Sequence, residues 1–299
     1  MRAVWTLWTK PIREGTGWPW HTTLHHLLAW GLSLRLAAAH YPQTVLVTDT
    51  PGADLLAGRL GLPFSQVSTD LDRLDGADPR WWALGKLAAY SAQDQPFVHL
   101  DADVFLWQPL PAWLTAAPVL AQHPETCHLP GDPDGPQAVE TAFARAGLSL
   151  PPEWRWSRSH PARRHREANC GIVGGTNTGF LRHYAGLALD LVLSPAHASA
   201  WASLPGDLNT TVEQFLLAAC ADYHRFDPGS PHRGTALRYL FPSPAAAYDP
   251  ACAARAGYTH LLGPAKRNPL VTARLERRTR EEDPAYYRRC ARVAADAGC

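Results

Sequence analysis

Two carboxylates two residues apart, Asp101 and Asp103, are the first feature of this 299-residue chain that could do chemistry. They lie inside Phe97–Trp107 (FVHLDADVFLW), which reads as a buried strand, apolar and β-branched, running into the acidic pair. In an extended chain, residues i and i+2 point the same way, so both carboxylates face one spot at the strand's C-terminal end. Ligands of open α/β sheets bind at such strand ends. Converging carboxylates repel each other unless a cation or a proton sits between them. An all-oxygen set suits Mg²⁺ or Mn²⁺, with a phosphate completing the shell. The same residue types at a strand end also cap turns and helix starts, and both readings stand at this point.

A second stretch, Tyr258–Lys266 (YTHLLGPAK), offers complementary groups. Neutral imidazole, here His260, ligates Mn²⁺ where Mg²⁺ prefers oxygen. Gly263 lets a backbone approach a phosphate closely, and Lys266 supplies a point charge to it. Taken singly, a histidine beside a glycine is more often structural and a lysine solvated.

The elements around these stretches alternate between strand and helix. Ala3–Trp8, Thr44–Val47, Gln66–Ser68 and Val98–Leu100 read as strands, and Thr22–His40 and Ala53–Leu60 as helices. Leu24, Leu27, Leu28, Leu32 and Leu36 stripe the first of those helices. Asp78-Pro79 is a helix-start signal for a segment carrying Trp81, Trp82, Leu84, Lys86, Leu87 and Tyr90. This alternation predicts an α/β fold with a mostly parallel sheet covered by helices on both faces. Farther on, Val119–Gln122, Asn169–Gly175 (NCGIVGG), Arg238–Phe241 and Tyr258–Leu262 read as strands. Ala138–Ala146, a segment through Leu193 capped by Thr176 or Asn177, and Leu208–Ala221 read as helices. Trp154–Glu167 is basic, aromatic and aperiodic, and is expected to be a surface loop or a flap over a phosphate-bearing substrate. The charge run Lys266–Arg280 is expected to be solvated, and Asp283-Pro284 to open a last amphipathic helix. Trp18 and Trp20 suit either stacking on a sugar or packing over a sheet edge.

Composition closes several function classes. A net charge of +1 gives no overall field for nucleic acid or an anionic membrane. The composition, 46% hydrophobic and 18% charged, argues against disorder. No run of about 18 apolar residues is present to form a transmembrane segment. Six cysteines without a Cys-x-x-Cys pair support neither a zinc nor a redox motif, and reduced thiols in a cytoplasmic protein are the simplest expectation.

Together, HLDADVF, NCGIVGG, the helical Glu213-Gln214 and HLLGPAK resemble, in order, the motifs of GT-A-fold glycosyltransferases. The likeness is greatest to the family-8 retaining enzymes of the glycogenin and bacterial galactosyltransferase group. It implies a GT-A-type, Rossmann-like domain over residues 1–265, with a C-terminal helical extension, 266–299, packed on it. It implies Mn²⁺ (or Mg²⁺) held by Asp101, Asp103 and His260 against the diphosphate of a nucleotide-sugar donor, a UDP-sugar. It places diphosphate contacts on Gly263 and Lys266, sugar-hydroxyl contacts on Asn169, and a basic donor-site residue at Lys86. Glu213 and Gln214 fall beside the anomeric carbon, and Glu213 is equally suited to being a plain first-turn carboxylate. The family has Asp where this chain has Glu213, Arg where it has Lys86, and Pro-Trp where it has Arg267-Asn268. The whole chain is also similar to a bacterial family sharing its tryptophan-rich start, which implies no activity.

Three other readings compete. A dehalogenase-like phosphatase uses Asp-x-Asp as nucleophile and acid, but with the motif near the N-terminus. A protein of the same fold could bind nucleotide sugars without turning them over. In a plain α/β scaffold, His260 and the carboxylates would never meet.

Overall fold

The structure, a computed structural model, describes residues 1–16, 20–126, 132–163 and 166–297. Trp18, Cys127 and Cys299 lie outside the described residues, as do residues 164–165 of the stretch Trp154–Glu167. The architecture is mixed α/β with a mostly parallel main sheet. The chain forms two compact units, one of Met1–Arg80, His99–Leu110 and Ala251–Cys299, the other of Trp81–Val98 and Pro111–Pro250. Among the described residues no helix is long and apolar enough to cross a membrane.

In the first unit, the strand Arg2–Leu7 pairs in parallel with Thr44–Thr48, which pairs in parallel with Gln66–Ser68. Parallel neighbours need a crossover, and the helix Thr23–Ala38 provides it. Thr22 starts that helix by accepting the His25 backbone N–H at 3.3 Å. Beyond Arg2–Leu7 comes the Phe97–Leu100 strand, whose last two residues belong to this unit. The His99 ring meets Thr6 Oγ1 at 3.1 Å. Trp20 is buried, in keeping with a packing role.

The chain's last two helices, Pro269–Glu282 and Pro284–Ala297, pack on Thr23–Ala38. The Tyr286 hydroxyl donates to the Leu27 carbonyl at 2.6 Å, and its ring fills the space a Cβ at residue 31 would need. The run Lys266–Arg280, expected to be merely solvated, is largely helical. Thr272, Leu275 and Thr279 turn inward, while Arg278–Glu282 and Arg280–Glu276 pair along the surface. Three polar or apolar contacts at helical spacing were hidden among many charges. Asp78 accepts the Arg80 N–H in a turn instead of capping a helix.

In the second unit, Val119–Ala121 runs parallel to Leu237–Tyr239 and antiparallel to Ile172–Gly175. Pro124–Thr126 and Arg166–Ala168 form a small antiparallel ladder. A Cβ at residue 174 would collide with the Phe97 carbonyl, so only glycine permits this approach. The helix anticipated near Asp78 begins at Ala83 and ends at Ser91. Asn177, not Thr176, caps the helix Thr178–Leu193 by accepting the Phe180 N–H. The expected loop from Trp154 is instead a helix over its first turns, Pro152–Ser159. Trp154 packs edge-on against Phe215, their ring centroids 4.8 Å apart, and Arg158 pairs with Glu140. Two turns are too few for a helical period to show in the sequence.

Candidate metal and phosphate site

The acidic pair sits in a turn, not in a continuous strand. The chain leaves Phe97–Leu100, turns through Asp101-Ala102-Asp103 and re-enters extended structure at Val104–Leu106. The Val104 N–H donates to the Asp101 carbonyl at 2.9 Å and closes the turn. Period-two alternation therefore does not explain how the carboxylates converge; the turn does.

Strand pairing then delivers the histidine. Val104–Leu106 pairs antiparallel with Tyr258–His260, with His260 opposite Val104. The Leu261 N–H donates to the Asp103 carbonyl at 3.1 Å. His260 Nε2 lies 3.4 Å from Asp103 Oδ1. One ligand atom from each of Asp101, Asp103 and His260 lies within 4.8 Å of the others. A turn of 3₁₀ helix, Gly263–Arg267, follows and returns Lys266 to the carboxylates, Nζ 2.5 Å from Asp103 Oδ2. Gly263 opens that turn at φ +45°, a conformation that favours glycine. Gly263, Pro264, Lys266, Arg267, Asn268 and Pro269 line a cavity of about 760 Å³, within the range of small-molecule sites.

The electrostatics follow from burial and charge. Burial pushes the Asp103 carboxyl up, but the charges of His260 and Lys266 prevail and hold it well below the usual carboxylate range. Asp103 is therefore ionised in a mostly dry setting. Tyr258 is pushed well up by burial and by the charges of Asp101 and Asp103, so its phenol stays neutral. His26 drops to about 3, through burial first and then the charge of Lys266, with Asp103 opposing. Its ring is neutral and accepts the Trp30 indole N–H at 3.0 Å. The arrangement can hold a divalent cation on two carboxylates and an imidazole, with a lysine beside it for an anion.

The remaining candidates from the sequence lie in the second unit. Lys86 Nζ is 2.8 Å from Glu213 Oε1 and 3.2 Å from the Cys170 carbonyl. Glu213 is fully buried within a single π-helical turn, Thr211–Phe215, and accepts the Tyr90 hydroxyl at 2.9 Å. Gln214 is half-buried, next along that turn. Asn169 is buried, donates to Glu125 Oε1 at 3.1 Å and accepts the Gly171 N–H. The structure thus brings Lys86 to Glu213, and Asp101, Asp103, His260 and Lys266 to one another.

A family model described as a family of unknown function, DUF6734, matches residues 1–293. The chain belongs to the DUF6734 family. Comparison with curated proteins finds no match. Among solved structures, the chain is similar to the galactosyltransferase LgtC in complex with donor and acceptor sugar analogs. Identity is 14% and the TM-score 0.42, over 93% of this chain and 94% of that one.

In this DUF6734 chain, sequence reasoning passed over two residues near the carboxylates. His99 Nδ1 lies 3.8 Å from Asp101 Oδ1, and His26 feels the charges of both Lys266 and Asp103. His99 was in plain view two residues before Asp101. His26 had no such signal, because its position among apolar helix residues does not reveal what its ring will face.

Proposed function

We propose that this DUF6734 protein transfers a sugar from a nucleoside-diphosphate sugar, a UDP-sugar, to an acceptor, with retention at the anomeric carbon. What carries this reading is the meeting of two motifs remote in sequence. Asp101 and Asp103 come from one, and His260 and Lys266 from the other, and each segment has an adequate structural role without the other.

Asp101, Asp103 and His260 would hold Mn²⁺ or Mg²⁺. The ion would neutralise charge developing on the diphosphate as the glycosidic bond breaks. Their chemistry fits the group: Asp103 stays ionised despite burial, and a mixed oxygen and imidazole set favours Mn²⁺. Lys266 contributes a second positive charge on a flexible stem, suited to a leaving phosphate. Gly263 leaves its backbone open to an anion. The sequence resemblance assigns the sugar hydroxyls to Asn169, the surroundings of the anomeric carbon to Glu213 and Gln214, and a further donor contact to Lys86.

The test is a thermal-shift comparison of UDP, GDP and ADP, each with and without Mn²⁺. UDP with Mn²⁺ should raise the melting temperature most, because a ligand binding only the folded state stabilises it. His260→Ala should remove that shift while leaving the melting temperature of the ligand-free protein nearly unchanged. Incubation with UDP-sugars should then release UDP. If no nucleoside diphosphate shifts the transition in the presence of Mn²⁺, the proposal is wrong.

A further inference from the structure

The second unit holds another cluster of ligating side chains, and no motif in the sequence points to it. Glu153 stands in the first turn of the helix Pro152–Ser159, His183 in the helix Thr178–Leu193, and His224 near the end of the helix Leu216–Phe226. Their polar atoms form a closed triangle. His183 Nε2 is 2.9 Å from Glu153 Oε1 and 3.0 Å from His224 Nε2, and His224 Nε2 is 3.4 Å from Glu153 Oε1. A third imidazole, His232, flanks the group, its ring centroid 5.2 Å from that of His183 and 5.3 Å from that of His224.

Hydrogen bonding alone does not satisfy this triangle. A neutral imidazole carries one N–H and one lone pair. If His183 Nε2–H donates to Glu153, the His224 nitrogen must present a lone pair, which then faces the carboxylate. If His224 Nε2–H donates to His183, the His183 lone pair faces Glu153 at 2.9 Å. Protonating both facing nitrogens sets two hydrogens against each other across 3.0 Å. Each arrangement leaves one edge repulsive, and a cation at the centre makes all three attractive.

We propose that Glu153, His183 and His224 bind a divalent transition-metal ion, zinc by the chemistry of the set. Two imidazoles and one carboxylate suit zinc better than Mg²⁺ or Ca²⁺. Tetrahedral zinc with ligands at about 2.0–2.2 Å spaces them about 3.3–3.6 Å apart, so the triangle needs to open by only a few tenths of an ångström. The outer contacts are of the kind that orient metal ligands. His224 Nδ1 lies 2.5 Å from Ser230 Oγ, which fixes that ring and leaves Nε2 to face the centre. Glu153 Oε2 is buried and has no hydrogen-bond partner among the described residues. Glu153 and His224 are buried while His183 is half-exposed, so the ion has a way in.

Protonation states agree with the geometry. Burial pushes the Glu153 carboxyl up, but the hydrogen bond from His183 outweighs it and holds the group below its ordinary value. His224 is lowered by burial first and then by His183, and His232 likewise by burial and His183. The carboxylate is thus charged and the His224 imidazole neutral, the forms in which these two groups ligate. The ion would tie three helices of the second unit at one point.

The experiment uses the full chain carrying Asp103→Asn, so that the carboxylate cluster of the first unit does not contribute. The chelator-stripped protein is titrated with Zn²⁺ against a chromophoric competitor. One zinc should bind, and it should raise the melting temperature. Adding His183→Ala, at a half-exposed position, should weaken binding about a hundredfold, and Glu153→Gln about tenfold or more. X-ray absorption of the zinc-loaded chain gives a readout independent of the variants and should report a nitrogen and oxygen shell with two imidazoles. Unchanged zinc affinity in His183→Ala, a shell containing sulfur or lacking imidazole, or no zinc bound at micromolar concentration would each overturn the assignment.

Discussion

Each unit contains a buried carboxylate paired with a lysine, and the two pairs differ in what surrounds them. Glu213 and Lys86 are enclosed: the glutamate is fully buried, the Tyr90 hydroxyl donates to it, and Lys86 also donates to a backbone carbonyl. Asp103 and Lys266 are in contact too, but a second carboxylate and an imidazole converge on the same aspartate, and Lys266 lines an open cavity. A charge pair inside an apolar setting roughly breaks even and mainly fixes geometry. One with further ligands and an opening can exchange partners. The same chemical pair is therefore enclosed in one setting and open to further partners in the other.

That contrast predicts opposite outcomes for equivalent substitutions. Lys86→Met leaves the Glu213 carboxylate buried without its cation and should cost about 3–5 kcal/mol, lowering the melting temperature by about 10 °C. A shift of under two degrees in a denaturation scan would show that the enclosed pair carries little stability. Asp103→Asn should behave the other way. Mn²⁺-dependent nucleotide binding or turnover should fall on the order of a thousandfold, with a much smaller loss of stability, as titration calorimetry beside the same scan would reveal.

A third carboxylate sharpens the comparison because no lysine neutralises it. Glu167 sits directly opposite Glu125 in the small ladder, and burial followed by the Glu125 charge raises it to about 8. Its folded value lies above its unfolded one. Its contribution is thus most favourable below the ordinary glutamate value and declines as pH rises through that value toward 8. Glu167→Gln should raise the melting temperature by a few degrees at pH 8 and hardly at all near pH 4.5. A constant difference across that range would remove the shared-charge explanation.

The smallest effect concerns Asp103 in acid. Its lowered value means its contribution is fully present above the ordinary aspartate value and lost only as pH falls through the depressed one. The stability difference between wild type and Asp103→Asn, measured by denaturant titration, should stay flat from pH 7 to pH 5. A steady decline over that interval would mean that His260 and Lys266 do not hold the charge.

Much of the first site was legible because its signals are local. Asp101 with Asp103, and His260 with Gly263 and Lys266, fall within two short stretches, and their apolar flanks mark them as strand ends. The strands Arg2–Leu7, Thr44–Thr48 and Gln66–Ser68, and the mostly parallel sense of their sheet, were legible for the same reason. The turn at Ala102 was not, since an apolar sequence, Val104–Trp107, continues on its far side and looks like one strand. Glu153, His183 and His224 were invisible. They are 30 and 41 residues apart on three helices, and no spacing rule joins ligands whose approach depends on helix packing. The helix that carries Glu153 was itself masked by its tryptophans and arginines, which look aperiodic over two turns.

The clasp of Tyr286 on the helix Thr23–Ala38 has a consequence for the order of events during synthesis. The first unit is assembled from three separate stretches of chain, and its helices Pro269–Glu282 and Pro284–Ala297 are made after the whole of the second unit. The apolar face around Leu27 and Gly31 therefore emerges from the ribosome some 250 residues before the ring that covers it. Chains are extended at about 5–20 residues per second, so that face waits on the order of ten seconds or more for its partner. The second unit is drawn mainly from Pro111–Pro250 and has all its residues before then. The nascent chain thus carries that helix face without its Tyr286 cover while the intervening residues are made, a surface for chaperones to hold until the ring arrives.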